Sequence, residues 1–169
     1  MRTLLRKSLL GFAILLTGIA PLALAQHQEH EHMHDSGDHM AAAAASMDGR
    51  TAVKFPPMLR EHTLANMRDH LQTLSEIQRY LAAQDFDRAA DIAEKRLGMS
   101  SLSLHGAHEI APYMPKGMQD AGTAMHHSAS QFAVATQEAA IDHDVPRALA
   151  ALNKVTQTCV ACHAAYRLE

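Results

Sequence analysis

From Phe55 to the end of the chain, apolar residues return at three- and four-residue steps, and no segment alternates as a strand does. That period restricts the chain to packed helices. Pro56-Pro57 opens a first helix, where proline's fixed φ and missing N–H are tolerated. Leu64, Met67, Leu71, Leu74, Ile77 and Leu81 then form one apolar stripe along it. Gln84-Asp85 reads as a turn, and a second helix is expected over 86–97, ending at Gly98. A longer connection with Gly106, Pro112, Pro115 and Gly117 is expected to hold a helical turn over 102–108. A third helix is expected over 118–141, carrying Met125, Phe132 and Val134. Asp144 can cap the fourth, with Pro146 in its first turn and Leu149, Leu152, Val155 or Thr156, Cys159 and then Cys162 with His163 continuing one face to Tyr166. The expected fold is all-α, an antiparallel four-helix bundle over 54–169.

The only two cysteines lie near the C-terminus, in Cys159-Val160-Ala161-Cys162-His163. C-x-x-C-H is the pattern of covalent c-type haem attachment. Two thiols one helical turn apart can each add to a haem vinyl group, and the next residue brings an imidazole to the iron. Cys159 and Cys162 are therefore assigned to thioethers and His163 to the proximal position of one covalent haem c. A thioredoxin-like C-x-x-C belongs after a strand in a βαβ unit, and none precedes this motif. A structural zinc site draws on four ligands, and there is no second Cys pair. A disulfide within one helical turn has poor geometry.

The chain has 169 residues, and its first 25 read as an address label. Arg2, Arg6 and Lys7 form a positive start, an apolar run follows, and Ala23-Leu24-Ala25 is a small-x-small cleavage site. The run is short for a membrane span and contains Gly11, Gly18 and Pro21, so no stable anchor is expected after cleavage. Loss of this segment removes three basic groups and no acid, taking the formal charge from −3 to −6. An acidic balance excludes nucleic acid as a partner class, because phosphate binding needs a basic footprint. Export points to the bacterial periplasm.

Residues 26–53 read as a disordered arm with too little apolar surface to offset chain ordering. His27, His30, His32, His34 and His39 lie among Glu29, Glu31, Asp35 and Asp38, with Met33 and Met40 close by. Imidazole and thioether suit copper, zinc or nickel, so weak metal capture by 26–40 is one reading and a soluble spacer the other.

A helical bundle with C-x-x-C-H on its last helix resembles the class II cytochromes c, cytochrome c′ and its low-spin relatives. The ending Cys159-Val160-Ala161-Cys162-His163-Ala164-Ala165-Tyr166-Arg167 is similar to the C-x-x-C-H-x-x-[YF]-R ending of that family. The resemblance covers roughly 55–169, firmly at the C-terminal motif and more loosely elsewhere. It implies haem in the bundle core and a distal position supplied by the first helix, either an apolar side chain or a methionine. Counting back from the Gln84-Asp85 turn places that position near Met67, which also lies on the apolar stripe. Met67 is the expected distal ligand, against a role as flexible core filler. Met58 and His70 are the alternates, while Met114, Met118 and Met125 would need the iron to face another helix. The resemblance also places Arg167 near the haem edge, against a solvent-facing role; Arg60 and Arg68 are further propionate partners. His62, His105, His108, His126, His127 and His143 show no ligand spacing and are expected to be surface or partly buried residues.

The expected function is single-electron transfer between periplasmic redox partner proteins, without enzymatic chemistry. No G-x-S-x-G occurs, and the one H-E-x-x-H, His30-Glu31-His32-Met33-His34, falls in the polar tract and not on an expected helix, where that zinc chemistry would need it. One alternative is a five-coordinate cytochrome c′-type protein binding NO or CO. Another is a copper- or metal-handling protein that uses the His/Met arm. An exposed apolar helix face would support a homodimer of the kind resembling proteins form.

Overall fold

The computed structural model describes residues 48–169. The expected signal segment and the His/Met-rich tract lie outside the described residues. The described chain is all-α apart from one small strand pair. Strand β1 spans Thr51–Val53, helix α1 Pro57–Ala82 and helix α2 Phe86–Arg96. A 3-10 turn at Met99–Ser101 leads to the short helix α3, Ala107–Ile110, and a second 3-10 turn at Ala111–Tyr113. Helix α4 spans Lys116–Ala139, helix α5 Val145–Ala165 and strand β2 Tyr166–Leu168.

Local chemistry sets most of these limits. Proline stands at the start of α1 and in the first turn of α5. The Asp85 carboxylate accepts from Arg88 N at 3.3 Å and Asp144 from Arg147 N at 2.9 Å, so both short turns end in a side-chain cap. Each of those turns also holds one residue in the left-handed region, Gln84 and His143, both at φ 56°.

Helix α5 packs extensively on α4, α4 on α2, and α2 on α1, while α1 and α5 meet only sparsely. The main core lies between the helices at one end. It joins Ile77 and Leu81 of α1, Phe86 and Ala93 of α2, Phe132 of α4, and Leu152 and Val155 of α5. Alanines at Ala89, Ala129, Ala139 and Ala148 are wholly buried and allow close approach of the helices. Arg96 ties α2 to α1 through Asp69 and through Glu76 at 3.4 Å.

Three expectations change. The buried seam of α1 runs through Thr63, His70, Thr73, Ile77 and Leu81. Leu71 is 68 % exposed: it stands one position off that seam, which His70 occupies instead. Val134 likewise faces outward on α4. Strands also exist. β1 and β2 pair in parallel, Thr51 with Tyr166, Ala52 with Arg167 and Val53 with Leu168, so 51–53 belong with the helical region and not with the arm before it. Tyr166 leaves the helix for this strand. Three residues are too few to show alternation, and each strand exists only because the other is beside it.

Candidate haem-binding cleft

Cys159, Cys162 and His163 occupy the last turns of α5. Burial pushes the thiols of both cysteines up from their ordinary value, and both are free. A redox-active C-x-x-C needs the opposite, a lowered thiol at a helix start. Among the described residues, no group of three His, Cys, Asp or Glu is placed to hold a metal ion.

A cleft of about 360 Å³ opens where α1 and α5 stand apart. That volume lies within the range of small-molecule and cofactor sites. Arg60, Thr63, Leu64 and Met67 line it from α1, and Cys162 and His163 from α5. Met118 contributes from α4, Tyr166, Arg167 and Leu168 close it from β2, and Arg50 from the residue before β1. An imidazole and a thioether thus reach one space from helices far apart in sequence. Cys159, half-buried one turn back, does not line it. Beneath the cleft a small second core joins Val53, Phe55 and Met118 with Met114, Cys162 and Tyr166.

Three guanidinium groups stand around this space. Arg50 donates to Asp48 at 2.9 and 2.7 Å and reaches the His163 carbonyl at 3.4 Å. Those bonds hold the Asp48 carboxyl down to about 2. Arg167 lies 3.6 Å from the same Asp48 and bonds Glu169 at 3.1 Å. Its Nε is buried without a hydrogen-bond partner. That Nε is the atom facing Asp48, so the guanidinium is already charge-paired although this one N–H makes no hydrogen bond. Tyr166 is held close as well: a methyl group on Gly117 would overlap its hydroxyl.

The donor set fits a c-type haem. An imidazole, a thioether and a thiol line the space, a second thiol lies one turn away, and three guanidinium groups, each paired with a carboxylate of the chain, border it. Several expected positions move. Met58 is 86 % exposed and lines no part of the cleft, because it points outward from the first turn of α1. His70 turns from the cleft to His105, Nε2 to Nε2 at 3.3 Å. Arg68 is exposed, whereas Arg60 lines the cleft. Met118, set aside above because it lies on another helix, stands in the cleft wall. Arg50 was hidden because its segment reads as arm. Its only sequence signal is a basic residue just ahead of Thr51-Ala52-Val53.

Comparison with protein-family models, with characterised protein sequences and with solved structures found no match.

Proposed function

We propose that this protein is an exported c-type haem protein with the four-helix arrangement of the class II cytochromes c, carrying single electrons between periplasmic partners. One observation carries the reading: Met67 of α1 and His163 of α5 line the same cleft, beside Cys162 of the attachment motif. Haem bound there supplies a one-electron iron couple. His163 would hold the iron on one side, and Cys159 and Cys162 would hold the macrocycle by thioethers. Met67 would supply the other iron ligand, whose soft sulfur would favour the reduced metal and raise the potential. Arg167, with Arg50 and Arg60, balances the propionates. No acid–base or nucleophilic role is assigned to these residues, so the protein is read as a carrier and not an enzyme.

Leu64 favours a second reading, because it lines the same wall as Met67. Were Leu64 the residue over the iron, the distal position would stay open to NO or CO. One experiment separates the two. The chain is produced with the bacterial haem-attachment machinery, denatured, and extracted with acidified organic solvent. Colour that stays with the polypeptide is expected; colour that washes out, or never forms, ends the haem reading. The reduced protein is expected to show sharp low-spin bands that Met67→Leu converts to broad high-spin ones with new CO binding. High-spin bands in the unaltered protein would instead select the gas-binding form.

A further inference from the structure

Three histidines from three separate segments meet in the interior, away from the cleft residues. His70 comes from α1, His105 from the connection between α2 and α4, and His126 from α4. Their relative exposures are 8 %, 4 % and 8 %. The rings lie 4.6 Å apart for His70 and His105, 5.4 Å for His105 and His126, and 6.3 Å for His70 and His126.

The hydrogen bonds define one neutral arrangement. The Ser101 hydroxyl donates to the Gly98 carbonyl at 2.7 Å, so its oxygen can only accept from the Nδ1–H of His105, 3.4 Å away. That leaves His105 Nε2 as a bare lone pair, which accepts from His70 Nε2–H at 3.3 Å. The Nδ1–H of His126 donates to the Leu97 carbonyl at 2.7 Å. The His105 backbone is clamped in turn: its carbonyl accepts from His62 Nε2 at 3.1 Å and from Asn66 Nδ2 at 3.0 Å. The cluster thus joins the 98–113 connection to α1 and α4, beside the bonds from Met99 N–H to Ser130 Oγ at 2.9 Å and from Gln119 Nε2 to the Ala111 carbonyl at 3.1 Å.

We propose that this cluster is an acid-sensitive latch: proton uptake by His105 and its partners releases the 98–113 connection from α1 and α4. A first added proton creates a buried cation with no hydrogen-bonded carboxylate among the described residues, and a second sets two N–H groups against each other. The charged neighbours give little relief. From α1, Asp69 faces the cluster but is committed to Arg96, and His62 adds a further titratable ring. From α2, Arg96 contributes positive charge. Burial already holds His70 and His105 down to about 4, with the neighbouring rings adding to the effect, and His126 below its ordinary value. None of the three rings lines the cleft.

The test is amide hydrogen exchange on the full chain from pH 7 to 4, corrected for intrinsic rates. In the unaltered protein, the opening constant of amides 99–107 should rise about tenfold per pH unit for each proton taken up. Amides around Phe132 and Val155 should change far less. His70→Gln and His105→Gln, which keep hydrogen-bonding side chains but cannot titrate, should each flatten that dependence. A parallel loss of protection in the connection and the core, or an unchanged pH dependence in both variants, overturns the proposal. Should a variant fail to fold, ring-proton NMR titration of the unaltered chain decides the matter. Three rings titrating well below the ordinary histidine value of about 6.5 support the latch, and three rings titrating at that value overturn it.

Discussion

Thr136 is a polar residue at a fully buried position, and its hydroxyl has no hydrogen-bond partner. A buried orphan of this kind costs about 1–3 kcal/mol. Thr136→Val keeps the shape and removes the hydroxyl, so denaturant unfolding should show a gain of about 1 kcal/mol or more. Phe132 presents the reverse case. At 1 % exposure it is the largest fully buried side chain, and Phe132→Ala should cost about 3–5 kcal/mol in the same measurement. Arg167 separates stability from function. Its ion pairs are partly solvated, so Arg167→Gln should change stability by only about 0–1 kcal/mol. Under the proposed haem reading the same change should lower the reduction potential, since a nearby cation would favour the reduced, less positive iron.

Among the elements, helix ends were the most legible features. Asp85 and Asp144 each stand before a helix and bond the N–H three residues on, a signal contained in a few adjacent residues. Asp144→Ala should therefore lower the melting midpoint, through a loss of about 1 kcal/mol. Helix faces were less legible. Leu71 belongs to a convincing apolar stripe yet points to solvent, while His70 and Thr73 occupy the seam. Hydropathy ranks leucine above histidine. Register is set by what the neighbouring helices offer, here Ser101, His105 and His126. The strand pair was not legible at all, because β1 and β2 each need the other across the whole domain.

At the scale of the molecule, the buried histidines set the response to acid. The folded pKa values of His70 and His105, near 4, lie below the ordinary 6.5, so the unfolded chain binds more protons between those limits. Stability is complete above about pH 6.5 and falls as pH drops towards 4, by on the order of 3 kcal/mol for one such group. Unfolding curves at pH 7 and 4.5 should show this loss, and His105→Gln should reduce it. Among the described residues no helix is long and apolar enough to cross a membrane. What the amino-acid order determined by itself is everything written in short-range chemistry: the helices, their caps, the C-x-x-C-H pattern at 159–163 and Met67's place one turn above Leu64. Only the tertiary structure decided that Met118, Arg50 and Arg167 meet at one cleft, and that three scattered histidines share one buried site. Those groups are far apart along the chain, and a contact between them depends on how helices pack, which no local spacing encodes.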